Sequence, residues 1–278
     1  MGTVTAPALG TVATARTLLF VPGTTPARFD KAAASSADVV IVDLEDAVPE
    51  EEKSPARGAV AAWLRDAGRA AVRVNGTATA HYDQDVAALA GLAGLLAVVV
   101  PMADSPDALA ALHERLGPGV EIVPLVETAV GLLRAGELAR APGVTRLAFG
   151  HLDFAVDIDS DTGDEAMLMA RSTLVVASRA AGLPGPIDGV TTVLDDPAAA
   201  RDDAVRARRL GLTGKLCIHP RQVDVVNTAM SPTEEQVAWA RRVLESRNGG
   251  AVRLDGEMVD APVIARAEAI VSRAEEAG

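Results

Sequence analysis

The chain has 278 residues, 49% of them hydrophobic, with a formal net charge of −12. That is enough apolar material for one large α/β domain or two small ones, and the negative charge argues against nucleic acid and anionic membranes as partners. The single cysteine, Cys217, excludes an intramolecular disulfide and a thiolate metal site, and points to a reducing cytoplasm.

In chain order, residues 1–15 are small and polar, without a basic start or an apolar core. They read as a disordered tail rather than a signal peptide. From Arg16 onward, short β-branched runs alternate with stretches of helical spacing. Strands are predicted at 17–21, 38–44, 70–74, 95–100, 120–126, 144–149, weakly at 186–190, and at 215–218. Helices are predicted at 26–35, 53–67, 82–92, 105–116, 128–140, 163–181, 197–210 and 220–228. The longest apolar run, 95–102, is far too short to span a bilayer. Eight β–α units fit an α/β fold of the (β/α)8 barrel type, with a doubly wound open sheet as the rival. No Gly-rich dinucleotide fingerprint or phosphate-loop lysine follows any strand. Beyond the eighth unit, a helix capped at 231–233 runs to 246, and Gly249-Gly250 breaks the chain. An extended piece at 251–254, a turn at Asp255-Gly256 and a last helix from Pro262 follow, with 257–262 as the helix entry and Asp260 near its N-cap. The expected organisation is a tail (1–15), a catalytic barrel (16–230) and a C-terminal helical extension (231–278).

The chemistry concentrates between Val120 and Asp153. Two apolar runs close on carboxylates, Glu127 and Asp153, and the amphipathic stretch between them has helical spacing, with Val130, Leu133, Glu137 and Leu138 at three- and four-residue steps. Parallel neighbouring strands bring both carboxylates to one side of the sheet. Such a pair repels, so one stays protonated or a cation sits between them. A hard oxygen-ligated ion such as Mg2+, with Mn2+ as a substitute, suits two carboxylates. The competing reading makes Glu127 a helix-start carboxylate favoured by the dipole and Asp153 a turn residue.

The carboxyl ends of the strands carry polar groups, whereas Lys215 and Thr145 at the opposite ends read as scattered surface residues. Arg73 in an apolar strand can grip a carboxylate through two parallel hydrogen bonds, or pair with Asp43, Glu45 or Asp46 on its own rim. His219 could act as a base, but a histidine capping the last strand beside Pro220 is more often structural; Cys217 reads as a core residue, and His81 and His113 as exposed. Only Lys31, Lys53 and Lys215 are present, none at an inner strand end, which disfavours a Schiff-base aldolase.

Together, Leu19-Phe20-Val21-Pro22-Gly23, Val42-Asp43-Leu44-Glu45-Asp46, Arg73-Val74-Asn75, Val126-Glu127-Thr128-Ala129, Gly150-His151-Leu152-Asp153, Pro186 to Val190, Cys217-Ile218-His219-Pro220 and Met258-Val259-Asp260 resemble the citrate lyase β-subunit-like acyl-CoA lyases of the HpcH/HpaI aldolase superfamily. The resemblance runs from about Arg16 to the end. It implies a Mg2+-dependent barrel that cleaves or forms 3-hydroxyacyl-CoA thioesters such as citramalyl-, malyl- or citryl-CoA, with an acyl-CoA and an α-keto acid as partners. Glu127 and Asp153 match the metal ligands, and Arg73 the arginine that holds the keto-acid carboxylate. Phe20 and Lys31 match positions that seat substrate and CoA, and Glu45 and Asp46 are candidates for ordering metal-bound water. Asp260 matches the acid–base aspartate of a C-terminal lid that reaches a neighbouring subunit, which implies a homo-oligomer, often a trimer. A condensing enzyme with a thioesterase step, and a citrate lyase β-subunit acting on a carrier-bound thioester, are the alternatives. Free-pyruvate aldolases of the superfamily carry Asp-Gly-Glu-His where this chain has Asp43-Leu44-Glu45-Asp46, which favours the CoA branch. His151 stands where relatives usually have a small residue, and Thr25 where malyl-CoA lyases tend to have arginine. Both bear on which acyl group fits.

Overall fold

Eight strands, β1 (Thr17–Pro22), β2 (Val39–Asp43), β3 (Ala70–Arg73), β4 (Leu95–Val100), β5 (Glu121–Val126), β6 (Ala148–Phe149), β7 (Ile187–Asp188) and β8 (Gly214–Cys217), close into a barrel in chain order. Every neighbouring pair is parallel, and β1 closes on β8 through Leu18 against Leu216. The computed structural model describes residues 11–246, 252–254 and 257–277. The chain divides into two compact units between Asn227 and Thr228.

The period-two alternation of the strands sets the interior. Leu18, Val39, Ile41, Ala71, Ala97, Val99, Val123, Leu125, Ala148, Ile187 and Leu216 point inward and form one buried cluster. The small residues at 71, 97 and 148 leave room for the branched ones opposite. Outward-facing strand residues such as Val40, Val42, Val72 and Val98 are equally buried, because helices cover them.

Those helices are α1 (Phe29–Ala33), α2 (Lys53–Asp66), α3 (Ala80–Leu89), α4 (Pro106–Leu116), α5 (Ala129–Leu133), α6 (Ala135–Leu138), α7 (His151–Asp157), α8 (Asp164–Ala180), α9 (Pro197–Leu210) and α10 (Val223–Met230). The single helix expected over 128–140 is two short ones. Leu132, Ala135 and Leu138 are its buried face, while Val130 and Leu133, two of the residues that carry the helical spacing, are exposed. Strand β6 is only two residues long rather than six, and α7 was not anticipated at all.

The lower mouth of the barrel also differs from expectation. Residues 11–15 are not a loose tail: Val12 and Ala15 are fully buried and join the barrel cluster. The reason is Arg146, itself wholly buried, whose guanidinium donates to the carbonyls of Val12 (3.1 Å), Ala15 (2.5 Å) and Gly185 (2.8 Å) and to Thr213 Oγ1 (2.7 Å). A buried charge needs its donors satisfied, and a short run of small residues can approach closely enough to do so. Lys215 is another correction, being buried rather than on the surface. It faces outward from β8 toward α9, donating to the Gly189 carbonyl (2.7 Å) between Asp188 (3.8 Å) and Asp203 (3.9 Å). Asp188 in turn pairs with Arg171 of α8 at 2.8 Å.

The second unit contains α11 (Glu234–Ser246), an antiparallel ribbon of β9 (Val252–Leu254) and β10 (Glu257–Val259), and α12 (Ala261–Ala277). Thr233 and Gln236 cap α11 reciprocally. Ala240, Val243, Val259, Ala267 and Ile270 form its core. The stretch expected as a helix entry, 257–259, is a strand instead. The Gly249-Gly250 break and the Asp255-Gly256 turn lie outside the described residues. No helix among them is long and apolar enough to cross a membrane.

Replacing Arg146 by Met leaves the buried carbonyls of Val12 and Ala15 without their donor, while the Gly185 carbonyl keeps the Thr213 hydroxyl at 2.9 Å. Chemical denaturation is expected to show a loss of about 3 kcal/mol; a change below about 0.5 kcal/mol contradicts the Arg146 contacts at the lower mouth as a stability element.

Candidate active site

Continuing each inward-facing row one step past the apolar cluster gives the upper layer of the barrel. From Leu18 the next inward position is Phe20, from Ile41 it is Asp43, from Ala71 it is Arg73, from Leu125 it is Glu127, and from Ala148 it is Gly150. Phe20, Asp43, Arg73, Glu127 and Gly150 all line one cavity of about 430 Å³. Asp46 contributes from a loop and His151, Leu152 and Asp153 from the first turn of α7, and Leu125, Phe149, Val190, Leu216 and Ile218 give it an apolar wall.

Glu127 is 2% exposed. Its Oε1 accepts from the Met102 N–H at 2.7 Å. Met102 has φ +48°, a left-handed backbone that a side chain of its kind rarely adopts, and this conformation belongs to the turn that presents its N–H to the carboxylate. On the other side, a Cβ on Gly150 would stand 2.2 Å from Glu127 Oε2. The Gly150 position must therefore stay bare for the carboxylate to sit where it does. Burial pushes the Glu127 carboxyl from the usual 4.5 up to about 8, with the nearby Asp153 and Glu45 charges adding to the rise against the Met102 hydrogen bond. Among the described residues, no Lys, Arg or His forms an ion pair with Glu127 or Asp153.

Asp153 does not end a strand. It lies in the first turn of α7, exposed, four residues beyond β6, and its charge acts on both Glu127 and Glu45. Two carboxylates without a protein cation suit a hard divalent ion that takes its remaining ligands from water or substrate. No group of three or more His, Cys, Asp or Glu side chains among the described residues is arranged to hold a metal, so a closed all-protein cage is not what this pair would belong to.

Arg73 is engaged by its own rim. Its Nε and one terminal nitrogen donate to both oxygens of Asp43 at 2.8 and 2.7 Å, and the other terminal nitrogen meets Glu45 at 2.9 Å and Asp46 at 3.4 Å. The guanidinium stacks on Phe20 at 5.0 Å. Of the two readings open at Arg73, rim pairing is the one observed. Burial pushes Glu45 up to about 7, against the opposing pull of Arg73 and helped by Asp46, Asp43 and Asp153. The loop between β2 and α2 is held by Lys53, which donates to the carbonyls of Leu44 (3.0 Å) and Glu45 (2.8 Å).

The other candidates separate. Lys31 is exposed on α1 and does not line the cavity. Asn75 is fixed by Asp85, itself paired with Arg57, and Asp188 faces the helices rather than the cavity. His219 caps a short turn by accepting from the Arg221 N–H. Cys217 is buried, its thiol pushed up to about 12. His81 is half-buried beside Glu50. Asp260 belongs to the second unit, where it is exposed and caps α12 by accepting from the Val263 N–H at 3.1 Å. His151 is 9% exposed, its Nδ1 is enclosed without a partner, and burial pushes its imidazole down to about 4, so it is neutral at physiological pH.

The family model for HpcH/HpaI aldolase/citrate lyase matches residues 16–220. The chain belongs to this family. A second model, for a C–C bond lyase of the TIM-barrel fold, matches residues 194–278, so this family member is a carbon–carbon lyase. It is 37% identical over 268 residues to a citrate lyase subunit beta-like protein of Mycobacterium tuberculosis, covering 93% of this chain and 95% of the relative. A (3S)-malyl-CoA thioesterase of Cereibacter sphaeroides is 32% identical, with 94% of each chain covered. The structure of M. tuberculosis CitE in complex with magnesium, acetoacetate and coenzyme A superposes with a TM-score of 0.82 at 37% identity, covering 94% of this chain and 98% of that one.

A carboxyl held protonated by burial destabilises the fold as pH rises from its unfolded value, near 4.5, through its folded value, near 8. In the presence of a chelator, Glu127→Gln is therefore expected to raise the thermal midpoint relative to the parent at about pH 8.5, and to leave it unchanged near about pH 4.5. Added Mg2+ stabilises the parent but not the variant. Equal midpoints at both pH values, with equal responses to Mg2+, contradict this account of Glu127.

Proposed function

We propose that the chain is a Mg2+-dependent lyase that cleaves or forms a 3-hydroxyacyl-CoA thioester, with an acyl-CoA such as acetyl-CoA and an α-keto acid on the other side of the reaction. The observation that carries this reading is the buried Glu127 carboxyl, acted on by Asp153 and ion-paired with no Lys, Arg or His among the described residues, in a cavity that Arg73 also lines. The similarity to a protein bound to magnesium, acetoacetate and coenzyme A supports the same assignment.

Glu127 and Asp153 would hold the ion, with Met102 and Gly150 fixing the first of them. When bound, Mg2+, or Mn2+ in its place, supplies Lewis-acid stabilisation of the charge that develops on the keto-acid oxygen. Arg73 holds the keto-acid carboxylate by giving up its contacts with Glu45 and Asp46. Glu45, with a pKa near 7, is readily neutralised, which releases one guanidinium nitrogen for the substrate. Glu45 and Asp46 can then order water beside the ion. Phe20 keeps the guanidinium plane in place. Lys31 is the cation for CoA phosphates, set against the chain's net charge of −12. Asp260 moves the proton at the α-carbon of the acyl-CoA, and the enzyme acts as a homo-oligomer, a trimer by resemblance, in which it serves a neighbour's cavity. Its compartment on this reading is the cytoplasm.

One observation favours a second reading, a lyase that also hydrolyses its thioester: the similarity to the relative named as a malyl-CoA thioesterase. Both are tested by incubating acetyl-CoA or propionyl-CoA with glyoxylate, pyruvate or oxaloacetate and Mg2+. The lyase reading predicts a 3-hydroxyacyl-CoA by mass spectrometry, abolished by chelator, and free thiol released alongside it marks the hydrolytic step. Folded protein that yields neither product on any pair contradicts both.

A further inference from the structure

The apolar wall of the cavity carries one polar side chain that the proposed chemistry does not use. His151 lines the cavity on the side of Phe149, Val190, Leu216 and Ile218. It is nine-tenths buried, and its Nδ1 has no hydrogen-bond partner among the described residues. Its ring is closely seated. A Cβ on Gly189 would lie 2.1 Å from Nδ1 and 3.0 Å from Cε1, so that edge of the imidazole rests on the bare Gly189 backbone. Phe149 packs against the ring with centroids 6.2 Å apart and a 50° tilt. With the Nδ1 edge closed off and no acceptor beside it, the proton is better placed on Nε2, on the edge left to meet the cavity. Nε2–H is then a donor open to the cavity, where a ligand oxygen can accept it.

We infer that His151 is a specificity-determining residue that donates a hydrogen bond to an uncharged oxygen on the keto-acid substituent of the substrate. This rests on the lyase reading above. His151 and Asp153 come from the same helical turn, so the part of the substrate nearest the imidazole is the part held beside Asp153, the keto acid rather than the acyl-CoA. The oxygen is uncharged because Asp43, Asp46, Glu127 and Asp153 already line the cavity. A divalent ion and Arg73 together offset three of those four charges, so a second substrate carboxylate would enter an unfavourable field. The apolar residues around His151 suit the carbon chain of such a substituent, and the donor suits a hydroxyl or carbonyl on it. The class of keto acid is then one bearing an oxygen next to the ketone, of the kind 3-hydroxypyruvate represents, rather than one ending in a methyl group.

The test compares kcat/KM for 3-hydroxypyruvate and pyruvate as acceptors for acetyl-CoA, using the full chain with Mg2+. The parent is expected to prefer 3-hydroxypyruvate. H151L is expected to lose that preference by about tenfold or more, chiefly through KM for 3-hydroxypyruvate, because a site built to hydrogen-bond an oxygen discriminates against analogues lacking it. H151Q, whose amide reaches about as far as Nε2, is expected to retain most of the preference, and H151A serves the same comparison where H151L does not fold. An active parent whose preference is unchanged in H151L, or in which both acceptors fall in parallel, overturns this inference alone, since the imidazole would then touch nothing that distinguishes them. A folded parent that uses neither acceptor while condensing glyoxylate also overturns it. A parent inactive on every keto acid overturns the lyase reading and this inference with it.

Discussion

The structure depends on a carboxylate kept from water beside another carboxylate. Glu127 has one protein hydrogen bond and a bare glycine against it, and Asp153 stands close enough to raise its pKa further. Coulomb repulsion between such groups is far stronger in a cleft than in bulk water. The rest of the upper barrel is arranged around that pair. The left-handed turn at Met102 aims an N–H at it, and α7 begins one residue after Gly150, so that its first turn carries the second carboxylate.

Charge elsewhere in the barrel is balanced locally, which makes the exception informative. Arg146 at the lower mouth is satisfied by carbonyls from two segments and by the Thr213 hydroxyl. Lys215, Asp188, Arg171 and Asp203 neutralise one another between the barrel and its helices. Arg57 and Asp85 do the same beneath Asn75. Arg73 is balanced too, but by Asp43, Glu45 and Asp46 at once, and burial, with the neighbouring negative charges adding to it, leaves Glu45 close to protonation at neutral pH. A site that binds an anion through this arginine gains by exchanging one such partner for the incoming carboxylate.

Much of this was legible in the sequence. The alternation of apolar runs with helical spacing gave eight strands in the order observed, and the residues at their carboxyl ends included Asp43, Arg73 and Glu127. Strand ends alone were not enough, however. Asp188 also ends a strand, yet it faces the helices, because its parity along β7 is opposite to that of Ile187. Counting in steps of two from the apolar interior would have separated it from Glu127. The same parity would have turned Lys215 away from the interior, though its burial follows from α9 and Asp203, which are remote in sequence. Helix α7 was missed because His151-Leu152-Asp153 follows a glycine and looks like a strand end; the helix is seven residues long and has no side-chain cap. The break between α5 and α6 went unseen because their buried face, Leu132, Ala135 and Leu138, is set by packing on neighbours rather than by the apparent periodicity of Val130 and Leu133. Residues 11–15 looked like a tail because their burial is imposed by Arg146, more than a hundred residues away.

The central claim is that the Glu127–Asp153 pair is a cation site, and anomalous scattering tests it most directly. Crystals soaked in Mn2+ should show a single strong anomalous peak between the Glu127 and Asp153 carboxylates. Well-ordered Glu127 and Asp153 side chains with no peak between them, or a peak held by Asp43, Glu45 and Asp46 instead, would contradict it.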